Sequence, residues 1–194
     1  MVRLFIAVTL DEAALEACAR ETQRLEAALG KLAKGVRFPR PEGLHFTIKF
    51  LGWTAEELMP AIHEGLARAA APLRPFSLRL EGLEAFPSVR RPRVVYLNVV
   101  EGAEEMTRLA ERVEAELAPL GFPTEKRGFT PHVTLARVKD PKTAARVGES
   151  VAAAPPLRVA TMQVAKVSLM RSELSPGGSK YTELAGFALG GSAR

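Results

Sequence analysis

At 194 residues, 47% of them hydrophobic and 25% charged, the chain is long enough to bury a core as one domain or two small lobes. A formal net charge of +5 suits an anionic partner such as a nucleotide or RNA, and falls far short of the dense basic run of a tail that coats nucleic acid. One cysteine, Cys18, excludes an internal disulfide, and no apolar run approaches the roughly 18–20 residues that span a membrane, so a soluble cytoplasmic protein with no membrane partner is expected.

Residues 3–9 (RLFIAVT) are rich in β-formers and predict a buried strand. Asp11 and Glu12 follow at once, so this apolar start does not read as a signal peptide. Asp11 is placed to cap a helix in which Leu15, Cys18, Thr22, Leu25 and Leu29 form one core-facing stripe, closed by Gly30. Residues 31–43 are a basic loop with Lys34, Arg37 and Arg40, either a solvated connector or a phosphate-facing segment. It leads into a strand opening LHFTI, which runs from 44 to about 51. Gly52 and Trp53 turn the chain. Thr54 with Glu57 predicts a capping box for a helix lined by Leu58, Ile62, Leu66 and Ala69, with His63 as a surface or helix-flank residue. Pro72 and Pro75 end it, and strands follow over 76–86 and 93–100.

Glu101 and Gly102 open a third helix with Met106, Leu109, Val113, Leu117 and Leu120 inward, ended by Gly121. Residues 122–130 are a second basic loop, with Lys126 and Arg127, before a strand that opens PHVTL and ends near Val138. Asp140 and Pro141 start a fourth, short helix with Ala144, Val147 and Val151 inward, stopped by Pro155 and Pro156. Residues 157–170 predict one long strand, 175–178 a turn, and 180–189 a returning hairpin partner. The two halves share a plan: basic loop, histidine strand, capped helix, two strands. This predicts a single α+β unit over 1–194, with two similar lobes whose open sheet faces share a cleft.

Two of the three histidines occupy matching places in the repeat His45-Phe46-Thr47-Ile48 and His132-Val133-Thr134-Leu135. Strand side chains alternate faces, so each strand turns its histidine and threonine one way and its apolar pair the other. A phosphate-binding P-loop, a dinucleotide-binding glycine turn and a serine nucleophile elbow are missing from the sequence. The motif offers no third metal ligand, so no metal and no cofactor are expected. Two histidines on one cleft suit concerted acid–base work, because one can be neutral while the other is charged near pH 7. The neutral ring takes a proton from water and the charged ring gives one to a leaving oxygen. Each threonine hydroxyl is suited to hold a phosphate oxygen. The pattern therefore fits a strained cyclic phosphate opened by water.

These motifs resemble the RNA 2′,3′-cyclic phosphodiesterases, also called 2′-5′ RNA ligases, of the two-histidine phosphoesterase superfamily. Residues 3–8 (RLFIAV), 44–52 (LHFTIKFLG), 92–97 and 129–137 (FTPHVTLAR) are similar to the family's strands, and Ser172 with Tyr181 to its C-terminal hairpin. Lys49 and Phe50 make a more basic pair than the resemblance leads one to expect. The resemblance implies a bilobal, pseudo-two-fold fold with antiparallel sheets, flanking helices and both histidines in a central cleft. It implies hydrolysis of an RNA terminal 2′,3′-cyclic phosphate to a 2′-phosphate, with reverse 2′-5′ ligation as a side activity. By similarity His45 is the proton donor and His132 the proton acceptor, an order the motifs alone leave open. Thr47, Thr134 and Arg127 then bind the phosphate of an RNA end, with Arg137 and Tyr181 as weaker candidates. A monomer is expected because no long exposed apolar stripe is left over in the sequence. The competing readings are a cyclic phosphodiesterase for small nucleotides and an RNA-binding protein without turnover.

Overall fold

The computed structural model describes residues 1–125, 128–155, 158–175 and 178–190. In chain order its elements are β1 (Val2–Thr9), α1 (Glu12–Leu29), β2 (Val36–Arg37), β3 (His45–Thr54), α2 (Met59–Ala70), β4 (Phe76–Phe86), β5 (Val94–Glu101), α3 (Ala103–Leu117), β6 (His132–Val138), α4 (Pro141–Ala152), β7 (Arg158–Val164), β8 (Lys166–Ser175) and β9 (Gly178–Ala188). The caps have local causes. Asp11 accepts from the Ala14 amide at 2.8 Å at the start of α1, and Asp140 accepts from the Lys142 amide at 2.9 Å at the start of α4. Gly30, at φ 52°, closes α1 in a conformation that penalises a side chain.

The strands form one antiparallel sheet in the order β7-β4-β5-β6-β3-β1-β8-β9, with β2 added on β6. The two histidine strands meet at its centre through a single registered pair, Phe46 with Val133. On one side β6, β5, β4 and β7 carry α1 and α4; on the other β3, β1, β8 and β9 carry α2 and α3. The core lies between the helices and the sheet, with Phe46, Ile62, Leu66, Leu97, Leu109 and Leu135 fully buried. Burial of each such side chain is worth about 1.5–3 kcal/mol.

The bilobal α+β architecture agrees with the expectation, but the lobes are not the two halves of the chain. The lobe of His45 borrows β8 and β9 from the C-terminus, and the lobe of His132 borrows β4 and β5 from the first half. The single long strand expected over 157–170 is in fact two strands. Its first residue lies outside the described residues, and the break falls at Ala165, whose carbonyl accepts from Leu189. A run in which apolar β-formers recur on both sides of Ala165 conceals such a break; β7 and β8 go to β4 and β1, in different lobes. The expected turn at 175–178 lies partly outside the described residues, and β9 does return as the partner of β8.

The capping box at Thr54 is also absent. The Thr54 hydroxyl donates back to the Gly52 carbonyl at 3.3 Å, and a 3-10 turn over Glu56–Leu58 separates it from α2. His63 lies half-buried on the flank of α2, with its ring 5.6 Å from that of Phe187. On α4 Val147 and Val151 are buried as expected, together with Thr143 and Gly148, and Ala144 is only half-buried.

Each histidine strand carries a bulge at the same place. The β1–β3 register steps from Thr47 to Lys49 past Ile48, and the β5–β6 register steps from Thr134 to Ala136 past Leu135. The bulge turns two consecutive residues of each strand inward, and the next one outward to the cleft: Phe50 on β3 and Arg137 on β6. It also explains the unexpected Lys49. Its side chain is 2% exposed, on the helix side, where the ammonium donates to both Glu114 oxygens and to the Pro123 carbonyl, each at 2.7 Å.

Candidate active site

Arg3, Phe5, Arg37, Arg40, His45, Thr47, Phe50, His132, Thr134, Arg137, Ser172 and Tyr181 line a cleft of about 460 Å³ over the β3–β6 junction. The alternation that buries Phe46 and Val133 presents His45 with Thr47, and His132 with Thr134, to this space. The structure thus brings together all four motif residues.

The two rings are held alike. His45 Nδ1 donates to the Gly43 carbonyl at 2.8 Å, and His132 Nδ1 donates to the Thr130 carbonyl at 2.7 Å. In both cases the acceptor lies two residues upstream and fixes the tautomer, leaving Nε2 for chemistry. His45 Nε2 lies 3.1 Å from Thr47 Oγ1, which donates to it when the ring is neutral. Each ring also rests against one phenylalanine and one tyrosine. For His45 these are Phe5 at 4.9 Å and Tyr181 at 5.1 Å; for His132 they are Phe86 and Tyr96, both at 5.2 Å. Such packing locks the imidazoles and partly desolvates them.

Burial accordingly lowers the pKa of both rings from the usual 6.5, the backbone hydrogen bonds oppose it, and the Arg137 charge lowers both further. The Arg137 guanidinium, which acts on both histidines, lines the same cleft. Four arginines, Arg3, Arg37, Arg40 and Arg137, line the cleft, and Arg3 is tied to the Ser172 hydroxyl at 2.9 Å. Arg37 is the cross-strand partner of Arg137 through the short β2 strand. The arrangement can hold a phosphate, donate a proton from one side and take one from the other. Among the described residues no three His, Cys, Asp or Glu side chains gather where they could hold a metal ion.

Arg127, the expected phosphate contact, lies outside the described residues, as does Lys126. Arg37 and Arg40, from the loop read as either solvated or phosphate-facing, do line the cleft, and so do Arg137 and Tyr181. Arg3 and Phe5 escape the sequence reading although alternation in RLFIAVT puts both on one face. Phe86 and Tyr96 cannot be found that way, because their place beside His132 depends on the β4–β5–β6 pairing.

The family profile described as the 2′-5′ RNA ligase superfamily matches residues 14–176, most of the chain. The chain belongs to that superfamily. It is 36% identical to the RNA 2′,3′-cyclic phosphodiesterase of Methanothermobacter thermautotrophicus, over 97% of this chain and 99% of that one. It is 35% identical to the protein of the same name from Archaeoglobus fulgidus, over 94% and 98%. A crystal structure of a Thermus thermophilus protein superposes with a TM-score of 0.79 at 33% identity, covering 98% of this chain and 99% of that one. The superfamily match covers both histidine strands, whose cleft the geometry had already singled out.

Proposed function

We propose that this protein hydrolyses the 2′,3′-cyclic phosphate at an RNA 3′ end to a 2′-phosphate, without a metal, by a histidine pair. The observation that carries this reading is the matched anchoring of His45 and His132 on carbonyls two residues upstream, with both Nε2 atoms left to one arginine-lined cleft. The names of the relatives that it resembles over nearly their whole length agree with it.

In this reading Thr47, Thr134 and Arg137 bind the non-bridging oxygens, and Arg127 adds a contact from the loop before the second motif. His132 Nε2 takes a proton from water as its oxygen attacks phosphorus. The P–O3′ bond breaks, and the proton on His45 Nε2 passes to O3′. The products are a 2′-phosphomonoester and a 3′-hydroxyl, and one proton exchanged with solvent resets the two rings. The His132 anchor stands in solvent whereas that of His45 is partly buried, which supports giving water activation to His132. Ligation through a 2′-5′ linkage uses the same acid–base pair, with an RNA 5′-hydroxyl in the place of water: it attacks the cyclic phosphate, the P–O3′ bond breaks and O3′ takes the proton. The residues 1–194 act as one unit, because the cleft draws on strands from both ends of the chain.

The test is turnover of an oligoribonucleotide ending in a 2′,3′-cyclic phosphate, with a chelator present, by wild type, His45→Ala and His132→Ala. The reading expects a 2′-phosphate from wild type and losses of roughly 10²–10⁴ in each variant. Activity abolished by the chelator would refute the metal-free mechanism. Turnover of cyclic mononucleotides alone would assign the cleft to small substrates, and binding without turnover would make it an RNA-binding site.

A further inference from the structure

Beside the cleft, on the lobe of His45, three large apolar side chains stand in solvent. Phe50 is 57% exposed, Trp53 65% and Leu174 67%. Their placement is not scattered. Phe50 is the cross-strand partner of Phe5, and Trp53 is the cross-strand partner of Arg3. Cross-strand partners project from the same face, and Phe5 and Arg3 both line the cleft. Phe50 and Trp53 therefore lie on the cleft face of β3, three residues apart, or about 10 Å at the usual strand rise. Arg3 lies between them and Ser172, which holds its guanidinium at 2.9 Å. The Phe5 ring links the series inward, 6.1 Å from Phe50 and 4.9 Å from His45.

An exposed aromatic next to a fixed cation, in line with a phosphate-binding cleft, matches a single-stranded nucleic acid: ring faces for bases, a guanidinium for the backbone. A terminal nucleotide with its phosphate at the histidine pair would use Phe50 or the aromatic wall behind it. Trp53 lies too far out along the strand for that nucleotide. We propose that Trp53, with Arg3 beside it, is a subsite that stacks the nucleobase preceding the terminal nucleotide, so that this enzyme selects RNA chains over mononucleotides. The inference rests on the reading of the cleft as an RNA 3′-end site.

The chain has one tryptophan, so its fluorescence reports on this position alone. The wild-type protein is titrated with three probes, each ending in a 2′-phosphate: a tetraribonucleotide, the same chain with an abasic second-last nucleotide, and a mononucleotide. Quenching by the first, and not by the other two, is expected. The abasic chain keeps the phosphate charge, so equal quenching by it would overturn the inference, as would no quenching by the intact chain. In parallel, kcat/KM is measured on the cyclic-ended tetranucleotide and on a cyclic mononucleotide. The ratio of the two should fall about 5- to 150-fold in Trp53→Ala, the span of one lost base–aromatic stack, and be held by Trp53→Phe. A ratio equal to wild type in Trp53→Ala would overturn the subsite while leaving the hydrolysis reading intact. Quenching without any turnover would do the opposite, sparing the subsite and refuting hydrolysis.

Discussion

Phe46 and Val133 are cross-strand partners, both fully buried, and they are the one registered pair joining the two histidine strands. The antiparallel register around that pair carries His45 towards Thr134 and His132 towards Thr47. Each hydroxyl is thus turned, across the junction, to the region of the other motif's histidine.

Replacing either threonine by valine keeps its shape and removes the hydroxyl. A lost hydrogen bond to a charged group costs about 1.5–3 kcal/mol, so kcat/KM for the cyclic-ended RNA should fall roughly 10- to 150-fold in Thr47→Val and in Thr134→Val. Only Thr47 has its hydroxyl within reach of its own histidine in the free protein, at 3.1 Å. Thr47→Val should therefore also change the titration of His45, read by NMR, and Thr134→Val should leave that of His132 in place.

Both histidine pKa values lie below 6.5, by burial first and by Arg137 next. A mechanism needing one ring charged and the other neutral is then best populated below pH 6.5 in the free enzyme, so the kcat/KM profile should peak there. Arg137→Gln removes a charge that lowers both values, and should move the peak upward while lowering its height. A wild-type peak above pH 7 would contradict the pairing. The same shifts act on stability. Between the lowered folded values and the unfolded 6.5, the unfolded chain binds more protons, so stability falls as pH drops through that window and is flat above it. Urea midpoints at pH 5 and 7.5 should differ less in a His45→Asn/His132→Asn double variant than in wild type.

Lys49 and Glu114 test the cost of a buried charge. Lys49 is 2% exposed and Glu114 22%. Glu114→Leu leaves the ammonium with only the Pro123 carbonyl and should cost about 3–5 kcal/mol, the usual penalty for an unpaired buried ion. Adding Lys49→Met should recover most of that loss. Denaturant titration of the four proteins closes the cycle, and a double variant no more stable than Glu114→Leu would mean that the pair is not what the lysine needs.

Glycines on two helices make a matched contrast. A Cβ at Gly148 would collide with the Val89 backbone carbonyl, in the loop between β4 and β5. Backbone there cannot yield cheaply, so Gly148→Ala should lower stability by about 1–3 kcal/mol despite the helix preference for alanine. At Gly65 the nearest atom is a Leu117 side-chain methyl at 3.1 Å, which can shift, so Gly65→Ala should cost less. Thermal unfolding ranks the two directly.

Much of this site is legible in the residues themselves. Period-two alternation alone aims His45, Thr47, His132 and Thr134 at one space, and the helix stripes and the caps at Asp11 and Asp140 follow from local chemistry. What alternation misses is the bulge after each motif, since an extra residue in a strand leaves no sequence mark. Lys49 therefore looks misplaced, and counting by twos from His45 and His132 does not bring Phe50 and Arg137 to the cleft. The pairing of distant strands is equally silent in the sequence, so the aromatic seats of the two histidines, Tyr181 for one and Phe86 and Tyr96 for the other, exist only in the folded sheet.

The exchange of strands between the lobes bears on how the chain is built during synthesis. The wall behind His45 is completed by Ser172 and Tyr181, from the final hairpin, and β1 must wait for β8 across nearly the whole sequence. Contacts so distant along the chain are slow to form. A ribosome that has delivered both histidines has still to release the hairpin that closes the cleft, so assembly of the cleft belongs to the last steps of folding, and neither half of the chain carries a complete lobe on its own.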